Sequence, residues 1–180
     1  MISRLINNWV YGGTLAGVLL LAMTPLLTAG WPPDLILTFL ALPLYMLHQW
    51  EEHDDDRFRR FVNRMLGSEA LSPAAVFVIN VPGVWGVIAA ALYLAWNYNS
   101  GYAFIAVYLV LVNGVVHALG AVAKREYNPG LVTAVLLFLP FSAVCLWMMR
   151  AATAYHAIGL GSALAIHIAI VVYANWGRAK

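Results

Sequence analysis

The sequence predicts an all-α fold: six membrane-spanning helices packed as a bundle, with one short amphipathic helix lying at the membrane surface. Three observations carry this. Hydrophobic residues make up 63% of the 180 residues and charged residues 10%, against about half and a quarter in soluble domains. The apolar residues gather in runs close to the roughly 20 that cross a bilayer core. Of the 7 tryptophans, Trp9, Trp31, Trp50, Trp96, Trp147 and Trp176 stand at the ends of those runs, where an amphipathic ring prefers the interface. Trp85 alone is internal.

The first run, Trp9–Ala29, follows Arg4 and is longer than the apolar core of a signal peptide, so it reads as an uncleaved first span. The second, Asp34–Trp50, is short because it ends in a charged motif. Asp54–Leu66 reads as the amphipathic helix: Phe58, Phe61, Val62, Met65 and Leu66 recur at helical spacing, and Arg57, Arg60 and Arg64 take the other face, with Arg59 at its edge. Such a helix lies in the interface, its arginines near headgroups. Gly67-Ser68 stops it and Ser72-Pro73 opens the third span, Pro73–Trp96, which Pro82-Gly83 should kink. Tyr102–Ala123, Pro129–Met149 and Tyr155–Trp176 complete the set. Residues 1–180 then form one integral membrane domain. Small-residue stretches at Gly12–Gly17 and Gly159–Ala163 suit close helix packing in the bundle, or contact in a homodimer.

With six spans, Arg4, Arg57, Arg59, Arg60, Arg64, Lys124, Arg125, Arg178 and Lys180 fall on one side and Arg150 alone on the other. That bias orients both termini toward the cytoplasm, in a multi-pass protein of the plasma (inner) membrane. A net charge of +2 with no nucleic-acid motif gives no reason to expect nucleic acid as a partner; the bilayer is the expected one. The single cysteine, Cys145, is mid-span and can close no internal disulfide.

The chemistry gathers at His48-Gln49-Trp50-Glu51-Glu52-His53. A helical residue turns about 100°, so His48, Glu51 and Glu52 share one face, with Asp55 on the same stripe one turn on. His53 points away, toward solvent or headgroups. Ionisable groups at a membrane boundary are costly and usually functional. His48 and Glu52 hold the i, i+4 spacing by which one helix ligates a metal from successive turns, leaving Glu51 beside them as a base that is not a ligand. His117 has the depth and chemistry of a third ligand. Asn80, Asn113 and His167 lie with it roughly 10–16 Å below the same boundary and are expected to line a pocket or support the ligands. A His/Glu/His set with an open position suits catalytic zinc; two carboxylates with histidines also suit iron or manganese. A metal-activated water with a pKa near 7 would give Glu51 a proton to take.

The His48-x-x-Glu51-Glu52 pattern resembles that of the HXXEE membrane-protein family, which also carries a further histidine, matched here by His117, and a Y-x-P-G motif, matched by Tyr127-Asn128-Pro129-Gly130. The resemblance runs from the second span through the fifth. It implies that these residues form one site of an enzyme and supplies no reaction. Pro129 fits the first turn of the fifth span, and Tyr127 just before it can donate a hydrogen bond to a developing oxyanion. The combined expectation is a metal-dependent membrane hydrolase acting on a lipid or another membrane-partitioned small molecule at the cytoplasmic leaflet. The alternatives are an iron-dependent redox enzyme, a proton- or ion-coupled transporter using the His/Glu cluster as a relay, and a scaffold with a structural metal.

Overall fold

The computed structural model describes residues 1–178, and every regular element in them is helical. In order they are α1 (Ile2–Leu27), α2 (Pro33–His53), α3 (Arg57–Leu66), α4 (Pro73–Asn97), α5 (Phe104–Lys124, entered through the 3-10 turn Ser100–Ala103), α6 (Leu131–Met148) and α7 (Thr153–Arg178). Five of these, α1, α4, α5, α6 and α7, are long and apolar enough to cross a membrane. The helix expected as the sixth span, α2, has 21 residues, but its last turns carry His48, Gln49, Glu51, Glu52 and His53, which holds it outside that set. Lys180, counted in the charge bias, lies outside the described residues.

Local chemistry sets the breaks. Ser72 caps α4 by accepting the Ala75 amide, with Pro73 in the first turn, where a missing N–H costs nothing. Pro82 removes a donor mid-helix, and the α4 backbone answers with a π-helical stretch over Ile79–Trp85, which is where the kink was expected. A second π-helical stretch, Ala134–Phe138, precedes Pro140 in α6.

Three sequence expectations are corrected. The amphipathic helix starts at Arg57 and not Asp54, because Asp55 (φ 50°) and Asp56 (φ 59°) adopt left-handed conformations that swing the chain out of α2. Asp55 therefore leaves the His48/Glu52 stripe and pairs with Arg60 at the surface, 2.7 Å away. Second, α1 begins at Ile2, which puts Trp9 two turns inside; it is buried against His53 and Trp85, with ring centroids 5.2 and 5.9 Å away. Third, Pro129 precedes α6 and takes no part in its first turn.

Ala41 and Tyr45 of α2 meet Ile88 of α4, Leu109 and Val110 of α5 and Phe138 of α6 in the central core. Both small-residue stretches are used inside the bundle. A Cβ on Gly17 would lie 2.9 Å from the Cβ of Met46, which is how α1 seats on α2, and one on Gly159 would strike the Phe104 backbone, where α7 crosses α5.

Candidate metal centre

His48 and Glu52 face one way from successive turns of α2, and His117 of α5 meets them; all three are buried. Glu52 Oε2 is 3.6 Å from His48 Nε2, and Glu52 Oε1 is 3.4 Å from His117 Nε2. One ligand atom from each lies within 4.8 Å of the other two, an arrangement that can hold a metal ion.

The hydrogen bonds behind the imidazoles decide what those nitrogens offer. His48 Nδ1 is 2.8 Å from Thr133 Oγ1. The Thr133 hydroxyl has one proton, and its other neighbours, Glu51 Oε2 at 2.6 Å and the Gly130 carbonyl at 3.2 Å, are both acceptors. The proton goes to one of them, so Thr133 Oγ1 accepts from His48 Nδ1–H. His117 repeats the logic: Asn128 Nδ2 donates to the His117 carbonyl (2.9 Å), which turns Oδ1 toward His117 Nδ1 at 2.7 Å, so that Nδ1 is again the donor. In neutral histidines both Nε2 lone pairs then face a carboxylate, and His48 Nε2 is buried with no hydrogen-bond partner among the described residues. Lone pairs aimed at an anion repel it unless positive charge stands between them. Metal-ligating histidines are fixed in this way, by the other ring N–H.

Glu51 has a different environment. Its Oε1 accepts from Tyr127 Oη (2.7 Å) and the Val132 amide (3.0 Å), and its Oε2 from the Thr133 amide (2.7 Å) and hydroxyl (2.6 Å). Those four bonds match the acceptor capacity of a carboxylate, and they place its charge at the N-terminus of α6, where the helix dipole favours it. Partial burial, together with the Glu51 carboxylate beside it, pushes the Tyr127 phenol up to about 12.

Asn128–Leu131 closes as a turn, the Leu131 amide donating to the Asn128 carbonyl at 3.1 Å. Pro129 sits second in it, and Gly130, at φ 96° and ψ −9°, third, the geometry of a type II turn. A Cβ on Gly130 would lie 2.8 Å from Cε1 of both His48 and His117. The glycine thus lets the backbone fit against the two imidazoles, and the turn carries Asn128 and Thr133 to their Nδ1 atoms.

The other expected residues are divided. Asn80 accepts from Gln49 Nε2 (2.9 Å), while Gln49 Oε1 accepts from Trp85 Nε1 (2.6 Å), a buried network tying α2 to α4. Asn113 lines a cavity beside the cluster, its Oδ1 buried without a hydrogen-bond partner among the described residues; His167 lines the same cavity and bonds the Ala163 carbonyl. Four residues carry contacts that the sequence does not assign to them: Thr133, Asn128, Gln49 and His53. His53 does not reach solvent. It is buried between Trp9 and Phe58, with Nε2 3.1 Å from Glu52 Oε2, because α1 and α3 cover that face of α2.

Five helices long and apolar enough to cross a membrane, with a buried His/Glu/His cluster among the helices, define the class: a helical membrane protein with a candidate metal centre. The chain belongs to the HXXEE family, described as a protein of unknown function with HXXEE motif, which matches residues 39–145 and so takes in the cluster, Glu51, Thr133 and the Tyr127–Gly130 motif. No curated protein and no solved structure matches the chain.

Proposed function

We propose that this protein is a metal-dependent membrane enzyme, a hydrolase acting on a lipid or another membrane-partitioned molecule, with His48, Glu52 and His117 holding one divalent cation. The observation that carries this reading is the convergence of two imidazole Nε2 atoms, each on a ring whose Nδ1 is held by an oxygen of Thr133 or Asn128, on one buried carboxylate. Three protein ligands of nitrogen and oxygen favour zinc; the same set accepts iron or manganese, and iron would turn the chemistry toward redox. When bound, the cation would supply Lewis acidity and an activated water.

The chain's own residues hold that centre in place. Thr133 and Asn128 orient the imidazoles, and Gly130 gives them room. Glu51, whose acceptor positions are filled, clamps the start of α6 to the end of α2, and Tyr127 completes the clamp; this leaves His53 and His167, both on the cavity wall, as candidates for the proton acceptor. In this reading α2 is the sixth span, the Lys and Arg bias puts both termini and α3 on the cytoplasmic side, and the site opens at that leaflet of the plasma (inner) membrane.

Two experiments test it. Purified protein should hydrolyse members of a panel of lipid esters, amides and phosphoesters, lose the activity to a chelator and regain it with zinc; oxygen consumption by an iron-loaded form, with no hydrolysis, would move the assignment to redox chemistry. For the topology, a cysteine at Ser68 on a Cys145→Ala background should be labelled from the cytoplasmic side only. Labelling from outside would relocate the site.

A further inference from the structure

A cavity of about 600 Å³ lies between α3, α4, α5 and α7, with Glu52 and His117 on its wall. Phe61 and Met65 of α3, Ile79 of α4 and Val112 of α5 make its surface apolar. Its size falls in the range of pockets that enclose a drug-sized ligand, roughly 300–1,000 Å³. Along α5 its lining runs from Leu109 to Lys124. At 1.5 Å per residue that is about 12 Å of wall from Leu109 to His117, apolar but for Asn113 and near half the thickness of a bilayer core, and about 10 Å more from His117 to the helix end. Val116, Ile168, Val171 and Val172 also line it, yet are 51%, 61%, 59% and 60% exposed. A wall that is both apolar and exposed, on helices suited to a membrane, opens toward lipid.

The other end carries a charge. Arg57 pairs with Asp54, Arg59 with Asp56 and Glu69, Arg60 with Asp55 and Arg64 with Glu126. Lys124 lines the cavity, and among the described residues nothing pairs with it. An uncommitted ammonium at the mouth of an apolar channel matches an anion attached to a chain.

We propose that this cavity takes a single-chain amphiphile with an anionic head, admitted sideways from the bilayer, with the chain along α5 and α7, the head at Lys124 and the reacting bond between them at His117 and Glu52. The position of the reacting bond rests on the metal-centre reading; the binding does not.

Photolabelling of the full chain in lipid nanodiscs tests this, using a diazirine-bearing C16 fatty acid and the matching C16 alcohol. Adducts of the acid should concentrate on cavity residues such as Met65, Val116 and Val171, and Val116→Trp, which fills the channel, should cut them at least about tenfold. Lys124→Ala, at an exposed position, should weaken labelling by the acid about tenfold and leave the alcohol unchanged. His48→Ala should keep both. Adducts spread evenly over the outward face of α1, at Leu15 and Leu19, would overturn the cavity as the binding place. Equal effects of Lys124→Ala on acid and alcohol, or no effect on either, would overturn the assignment of the anion. Absence of cavity labelling in protein that holds its metal would remove this inference and leave the metal centre standing; labelled but metal-free protein would do the reverse.

Discussion

Glu51 and Glu52 are adjacent in sequence and have opposite surroundings. Glu51 stands where a helix begins, and four N–H and O–H groups meet its two oxygens. Glu52 stands where three imidazoles meet, with Nε2 of His53, His117 and His48 at 3.1, 3.4 and 3.6 Å. One carboxylate is satisfied by the protein alone. The other faces three ring nitrogens, and on two of those rings, His48 and His117, the fold holds the opposite nitrogen with an oxygen of Thr133 or Asn128. A rotation of about 100° along α2 separates the two, so a pair of identical side chains divides into one held by helix-start donors and one that faces the histidine cluster.

That contrast breaks first at the carboxylates. Glu52→Gln should weaken metal binding, read by competition with a chromophoric chelator, by more than the roughly 10–100-fold typical of losing a ligand's hydrogen-bond partner. Glu51→Gln should keep metal content within a few-fold and instead lower stability by about 2–3 kcal/mol, since its amide nitrogen would face backbone donors, seen as a fall in the thermal midpoint. Equal metal loss in the two would point to a dinuclear carboxylate site and end the contrast.

Gly130→Ala should act on both sides at once. Its methyl group would press on two imidazoles from a residue already at φ 96°, so metal affinity and stability should fall together, the latter by about 1–3 kcal/mol, read as a lower thermal midpoint; wild-type behaviour would mean the turn does not pack as described. Thr133→Val keeps shape and removes the acceptor for His48 Nδ1–H. A metal affinity lower by about 10–100-fold is expected, and an unchanged value would show that the tautomer is not set there. Tyr127→Phe is the mildest: it removes one of four bonds to Glu51 at an accessible position, and a loss of about 0.5–1.5 kcal/mol with metal retained is expected.

Much of this was legible in the sequence, and the parts that were not share a cause. The i, i+4 spacing of His48 and Glu52 is a property of one helix, and the depth of His117 follows from counting residues back from Lys124; the structure brings all three together. The Tyr127–Gly130 motif marked a site, but its work is done by the turn it forms, which delivers Asn128 and Thr133. Thr133 looked like one hydroxyl in an apolar run, and its importance depends on Glu51 arriving from a helix 82 residues away. The stripe that included Asp55 assumed a helix that continues; Asp55 and Asp56 turn left-handed, and periodicity along the chain cannot show that. His53 was assigned to solvent because the angle from His48 was right, while the covering of that face by α1 and α3 is a tertiary fact. For Gln49 and Asn80, the sequence could read polarity in a membrane helix but not which partner satisfies it.

The measurement closest to the central claim is the metal content of the purified chain and of a His48→Ala/His117→Ala double variant, by elemental analysis, after equal exposure to zinc, iron and manganese. About one ion per chain in the wild type, as a single three-ligand centre requires, and less than about a tenth of that in the double variant is the expected result. Full metal content in the double variant, or none in a wild-type chain loaded with all three metals, would contradict it.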